Sequence, residues 1–177
     1  MTTIINLYGG PGTGKSTSAA YLYYLLKSSD RNTELVREYV KNWAWEDRKI
    51  NTYDQLYFLG KQARYESMLY GKVDYIITDS PVLLGGFYAK KYCPDTIAAG
   101  INAATLAFYN QANKDGHRHK HIMLTRTKTY NPAGRYQSAE EAKNIDSEIH
   151  QYLHDMNINF IECKTDEVSL KQLVSQL

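Results

Sequence analysis

An α/β fold, a five-stranded parallel sheet flanked by helices, is predicted by three observations on the sequence. Short apolar runs rich in β-branched residues alternate with longer segments of helical period, the runs number five, and the first of them enters a glycine-rich turn that opens a helix. In chain order, 3–8 reads as the first strand and 15–27 as the first helix. A second strand at 33–37 is followed by a short helix after Arg37 and a long one over 53–70. A third strand takes 73–78, a helix 95–114, a fourth strand 119–125, a helix 139–155, a fifth strand 159–162 and a last helix 167–175. Two segments resist this scheme. Residues 80–94 contain Gly85-Gly86 and end in Cys93-Pro94, which reads as a loop or a broken helix over the sheet edge. Residues 126–137 hold Asn131-Pro132 and Gly134 between a strand and a helix, and a mobile lid is the natural reading.

The 177 residues fit one domain, 1–177, within the usual size of roughly 100–200 residues. At 43% hydrophobic and 23% charged the composition is that of a folded globular protein. A net charge of +2 permits a local phosphate-binding patch and argues against the broad basic surface of a dedicated duplex-DNA reader. Cys93 and Cys163 stand far apart without metal-ligand spacing, so neither a disulfide framework nor zinc is expected, and a reducing cytoplasm fits best. No basic leader precedes the first apolar run and no apolar stretch approaches ~20 residues, so neither export nor a membrane span is expected. His117, His119 and His121 alternate along one strand face, and His150 and His154 have i,i+4 spacing without the Glu of a His-Glu-x-x-His site. Neither set is read as a metal site.

Gly9-Gly10-Pro11-Gly12-Thr13-Gly14-Lys15-Ser16 matches G-x-x-x-x-G-K-S in full, between a predicted strand and a predicted helix, which is the setting of the Walker A loop of P-loop NTPases. The expected ligands are ATP and Mg²⁺. Glycines let successive backbone N–H groups turn toward phosphate oxygens, and the helix N-terminus adds its positive end. Lys15 is expected to reach the β- and γ-phosphates, the Ser16 hydroxyl to ligate Mg²⁺, and Thr17 to lie near the α-phosphate. Asp79 ends the third strand where a Walker B carboxylate belongs, holding Mg²⁺ through water; capping the next helix is the competing role. Ser80-Pro81 follows it, where P-loop motors commonly place a glutamate that activates water, and this argues against an ATP-hydrolysing motor. Asn113-Lys114-Asp115 lacks the spacing and setting of a guanine-specificity motif.

If water is not the acceptor, a substrate hydroxyl or phosphate is, and the moving phosphoryl needs cations around it. Arg126, Lys128 and Arg135 on the lid are the candidates. Glu38 at the end of the second strand is the candidate acceptor-binding residue or general base, with a surface role open beside it. Arg37 is a candidate for an acceptor phosphate, and Tyr39, Trp43 and Trp45 for stacking on a base, against core packing as the alternative for each.

With these motifs, Arg37-Glu38-Tyr39, Thr78-Asp79-Ser80-Pro81 and the segment 126–137, the whole chain resembles the small bacteriophage P-loop kinases, relatives of nicotinamide riboside kinases and deoxynucleoside kinases. Within that group the lid, with Glu140-Glu141-Ala142-Lys143 and Ile145-Asp146 after it, looks like the phage 5-hydroxymethyluracil DNA kinases. The resemblance implies ATP-dependent phosphorylation of the hydroxymethyl group of a modified pyrimidine in DNA, inside an infected bacterial cell. It also implies that Asp79 and Glu38 flank the acceptor hydroxyl, without deciding which is the base, and that Arg126, Lys128 and Arg135 are lid cations. A DNA substrate would then require a basic groove, for which Lys90, Lys91, Arg118 and Lys120 together with the lid are the candidates, and a flipped-out base. A kinase for a free nucleoside or nucleotide, and a nucleotide-dependent switch, are the alternatives. The oligomeric state is not legible.

Overall fold

The computed structural model describes residues 1–127, 129–131, 133 and 136–177. Its strands are β1 (Thr3–Tyr8), β2 (Thr33–Val36), β3 (Tyr75–Thr78), β4 (Arg118–Thr125) and β5 (Ile161–Lys164), all parallel, in the order β2-β3-β1-β4-β5. The helices are α1 (Lys15–Ser28), α2 (Val40–Trp45), α3 (Asp54–Ser67), α4 (Leu83–Tyr92), α5 (Asp95–Lys114), α6 (Ala139–Asp155) and α7 (Glu167–Val174). This is the predicted α/β class with a P-loop kinase-type sheet order.

Central β1 is covered on both faces, and its Ile4, Ile5, Leu7 and Tyr8 are fully buried, which is why it reads as a mostly apolar run interrupted only by Asn6. One face packs Ile5, Leu7, Ile77, Ile122 and Leu124 against α1 and α7. On the other, Tyr8 and Met123 meet Leu83, Leu84 and Phe87 of α4 and Ile145, Ile149 and Leu153 of α6. Because all strands run one way, the carboxyl ends of β1, β2, β3 and β4 deliver Gly9, Arg37, Asp79 and Arg126 to the same sheet edge. α6 begins with a capping box, Ser138 accepting from the Glu141 N–H while the Glu141 carboxylate accepts from the Ser138 N–H, so the helix that faces the loop after β1 starts at a fixed point.

Residues 80–94 differ from the expectation of a loop or broken helix: α4 is continuous through Gly85-Gly86 and lies on the sheet face. The glycines serve close packing instead. A Cβ on Gly86 would come within 2.6 Å of Asn102 Oδ1 on α5 and 2.8 Å of the Tyr152 hydroxyl on α6, so only a bare backbone lets three helices meet there.

The strand histidines belong to the core. His119 and His121 stack with ring centroids 5.8 Å apart, His121 Nδ1 pairs with the Tyr8 hydroxyl at 2.9 Å, and His121 Nε2 with Tyr109 at 3.2 Å. Burial pushes His119 down to about 3, helped by His121 and His117, and His121 down to about 4. On α3, Glu66 is fully buried, and burial pushes its carboxyl up to about 8. These shifts act in opposite directions. The folded state refuses protons that unfolded histidines accept, so stability falls as pH drops below about 6.5 toward 3–4. It also keeps a proton that an unfolded Glu66 releases, so stability falls as pH rises from about 4.5 to about 8. Chemical denaturation across pH is therefore expected to show an optimum near neutrality. In Glu66→Gln the alkaline limb should vanish, its advantage over the parent growing by up to about 1.4 kcal/mol per pH unit until about pH 8. An alkaline limb unchanged in Glu66→Gln would contradict this account.

Candidate functional site

Residues 9–16 form the turn between β1 and α1, with Gly9, Gly12 and Gly14 at φ of 143°, 74° and 108°, backbone that side chains strain to adopt. α1 has no side-chain cap and no acidic residue in its first turn, so its leading N–H groups and positive end are left for an external anion. Lys15, 9% exposed, folds over the loop, its Nζ donating to Gly9 O at 2.7 Å and Gly10 O at 3.1 Å. Burial lowers its pKa, while the nearby carboxylates of Glu38, Asp79 and Asp146 work to raise it.

The remaining walls of the loop are built by distant segments. Gly10 lies against α6 so tightly that a Cβ would meet Ala142 O at 2.5 Å and Asp146 Oδ1 at 2.9 Å. The Tyr130 ring covers Gly12, and Thr165 covers Gly14. Thr13 is buried and points away from the cavity, its hydroxyl donating to Gly10 O at 2.6 Å.

Asp79 is 2% exposed, and its Oδ1 accepts the Glu38 N–H at 2.7 Å, tying the end of β3 to the end of β2. It does not cap α4, whose start carries no side-chain cap. Ser16 lines the cavity described next; its hydroxyl and the second oxygen of Asp79 are hard oxygen donors of the kind that suit Mg²⁺ carried in on phosphates. Among the described residues no three His, Cys, Asp or Glu side chains converge as a metal cluster would require.

A cavity of about 850 Å³ runs from Lys15, Ser16 and Thr17 past Glu38 into a chamber walled by Tyr39, Phe58, Leu59, Val82, Tyr88 and Tyr92. Tyr88 and Tyr92 are parallel, 6.1 Å apart. Gln55 and Gln62 are buried polar groups of this wall, Gln62 Nε2 donating to Thr78 Oγ1 at 3.0 Å and toward Glu66 Oε1 at 3.4 Å. Tyr136 and Gln137, just before α6, line the same cavity, and the Tyr136 hydroxyl donates to Arg48 O at 2.7 Å, bridging that segment and the chain after α2.

Of the residues singled out in the sequence, Pro11, Gly12, Gly14, Lys15, Ser16, Thr17 and Glu38 line this cavity, while Gly9, Gly10, Thr13 and Asp79 support it from behind. Arg37 is exposed and outside the lining. Trp43 is 8% exposed and absent from the lining: it packs edge-on against Phe58 at 4.9 Å with the Arg48 guanidinium over its ring, so it supports the wall and presents no stacking face. Lys128 and Arg135 lie outside the described residues. Arg126 does not line the main cavity; it is tied to Asp146 on α6 at 2.9 Å and to Pro11 O at 3.0 Å. The sequence reading passed over Phe58, Gln62, Tyr88 and Tyr92. The spacing of Gln55, Phe58, Leu59 and Gln62 marks one face of α3, and two amides on an otherwise apolar stripe are the signal that points to a lined cavity.

Two residues expected in a DNA groove stand apart from the segment after β4: Arg118 pairs in register with Thr3 at the amino end of the sheet, the end opposite Thr125, and Lys91 is bound to Glu148 at 2.6 Å.

A glycine-rich loop between β1 and α1, a carboxylate at the end of β3 and this strand order define a P-loop nucleotide-binding domain. Residues 4–169 match the family described as AAA domain, and the chain belongs to that family. A comparison with curated proteins finds no match. Among solved structures, it is similar to the NadR protein in complex with NAD and AMP-PNP, at TM-score 0.70 and 15% identity over 98% of this chain and 48% of that one. NadR in complex with NR gives TM-score 0.70 and 14% identity over 98% and 49%. The deoxyadenosine kinase from M. mycoides, with the products dCMP and a flexible dCDP, gives TM-score 0.54 and 17% identity over 98% and 95%. The chain thus spans about half the length of the NadR chains, and at these identities the likeness is one of fold.

Proposed function

We propose that the chain, 1–177, is a single ATP-dependent kinase domain that phosphorylates a hydroxyl on a nucleoside-sized acceptor, with 126–137 as its lid. The observation that carries this is the continuity of one cavity of about 850 Å³, which runs from Lys15 and Ser16 past Glu38 into an aromatic chamber. Ser16, and Asp79 through water, would hold Mg²⁺, which would supply charge neutralisation on the phosphates. Glu38 accepts the acceptor's hydroxyl proton as that oxygen bonds to the γ-phosphorus, and the bond from phosphorus to the β-γ bridging oxygen breaks, leaving ADP. Lys15 balances charge on the phosphoryl oxygens, joined by the lid cations. Ser80 after Asp79, in place of a water-activating glutamate, supports transfer over hydrolysis.

Asp79→Asn is expected to lower turnover by roughly 10²–10³, recovered in part at high Mg²⁺, as a metal-binding defect requires. Loss without any Mg²⁺ rescue, read from initial rates, would move Asp79 from the metal to the acceptor.

The finer reading, 5-hydroxymethyluracil in phage DNA as acceptor, rests on the lid resemblance, and one observation favours it: Lys41 and the exposed Lys49 are among the cavity's lining, cations that would suit the flanking phosphates of an extruded base. Transfer of γ-labelled phosphate to free nucleosides, nucleotides, ordinary DNA and DNA containing 5-hydroxymethyluracil tests both. Label on a free nucleoside or nucleotide supports the chamber reading, and label on the modified DNA alone, falling steeply with salt, supports the DNA reading. No label on any acceptor overturns both.

A further inference from the structure

Asp146, at the middle of α6, was not among the site residues that the sequence brought forward, yet it bonds directly to the phosphate loop. Its Oδ1 accepts from Gly10 N at 2.5 Å and from Thr13 Oγ1 at 3.0 Å. Its Oδ2 accepts from both Arg126 Nε at 3.0 Å and Nη2 at 2.9 Å, two charge-assisted bonds converging on one oxygen that hold that edge of the guanidinium. Arg126 Nη2 is further shared among Pro11 O, Thr13 Oγ1 and Ala142 O, at 3.0, 3.2 and 3.4 Å. Both side chains are mostly buried, at 14% and 22% exposed. Nη1 is the exception: it is buried, has no hydrogen-bond partner among the described residues, and lies over Gly12, where a Cβ would stand 3.2 Å from it. A charged donor left unpaired in a buried place is costly, and here it faces the loop that is built to hold phosphate.

We propose that Asp146 is a positioning residue that pins Arg126 against the loop so that Nη1 is presented to the terminal phosphate of a bound nucleoside triphosphate. The loop amides and the start of α1 embrace the inner phosphates, which leaves the terminal one for side chains reaching over Gly12. Asp146 thereby couples two things, the position of the loop through Gly10 and Thr13, and the aim of the arginine. This rests on the reading that Arg126 meets phosphate, but it is indifferent to which acceptor the protein uses.

The test is equilibrium binding of AMP-PNP and of ADP, by calorimetry with Mg²⁺ and no acceptor, so that a wrong acceptor assignment leaves the result intact. Asp146→Asn keeps the shape and an oxygen for the Gly10 N–H but loses the charge that orients Arg126. It is expected to weaken AMP-PNP about tenfold while ADP changes less than about twofold, the size of one charge-assisted hydrogen bond misaligned. In an Arg126→Ala background the same change should cost AMP-PNP less than about twofold, because its target is gone. Equal weakening of both nucleotides, the full loss persisting without Arg126, or no loss at all overturns the proposal. Should Asp146→Asn fail to fold, Asp146→Glu carries the test: it keeps the charge but displaces the guanidinium, and must lower AMP-PNP affinity while sparing ADP.

Discussion

Lys15→Ala is expected to lower turnover by roughly 10²–10³, the cost of removing a preorganised charge from the developing transition state. The local structure makes this loss specific to function. Lys15 is 9% exposed and its ammonium is held by two loop carbonyls, Gly9 O and Gly10 O, at 2.7 and 3.1 Å. Burial disfavours that charge, and the carboxylates of Glu38, Asp79 and Asp146 sustain it. A buried cation kept at such expense contributes little to folding, so the alanine variant should melt close to the parent temperature while losing its rate. Turnover and thermal unfolding measured on the same preparation check this. Near-parent turnover in a folded variant would remove Lys15 from the chemistry.

Glu38→Gln should lose roughly 10²–10⁴ in turnover, the usual contribution of a positioned general base, with a smaller change in acceptor KM. The substitution is selective because Glu38 contributes to the site in two separable ways. Its backbone N–H donates to Asp79 Oδ1 at 2.7 Å and survives the change, so the link between the ends of β2 and β3 stays. Only the side chain facing the cavity loses its capacity to take a proton. The pH-rate profile is therefore expected to lose its acidic limb in Glu38→Gln. A retained limb with modest loss of rate would transfer the proton to another group, Asp79 being the nearest candidate, and would recast Glu38 as a contact to the acceptor.

The strands were legible because each announces itself locally, as β1 does in a mostly apolar run that meets Gly9; their pairing, with β1 between β3 and β4, is a long-range property that no local pattern carries. The phosphate loop was legible for the same reason, since eight consecutive residues carry it. What escaped is what depends on residues far apart in sequence. Gly85-Gly86 carries the same local signal whether it breaks a helix or lets Asn102 and Tyr152 approach one, and only the packing of α4 on α5 and α6 decides between them. Trp43 reads as either a stacking platform or a packed aromatic, and only Phe58 and Arg48 closing over it decide for packing. Arg126 reads as a free lid cation because its partner, Asp146, lies 20 residues on in a helix whose pattern reveals a buried face but not a carboxylate aimed at Gly10. The expected basic groove loses Arg118 on geometry of the same kind, since Arg118 and Arg126 flank one strand yet stand at its opposite ends.

The most direct test of the central claim is the fate of the γ-phosphate. ATP labelled at that position is incubated with the protein, Mg²⁺ and a pooled set of nucleosides, nucleotides and hydroxymethylated DNA, and the label is divided between inorganic phosphate and acid-stable ester. A kinase built on this cavity places most of the label in an ester, and Lys15→Ala abolishes it. Label found only as inorganic phosphate, or ATP bound and left intact with every acceptor present, would contradict phosphoryl transfer and leave a nucleotide-hydrolysing or nucleotide-sensing domain in its place.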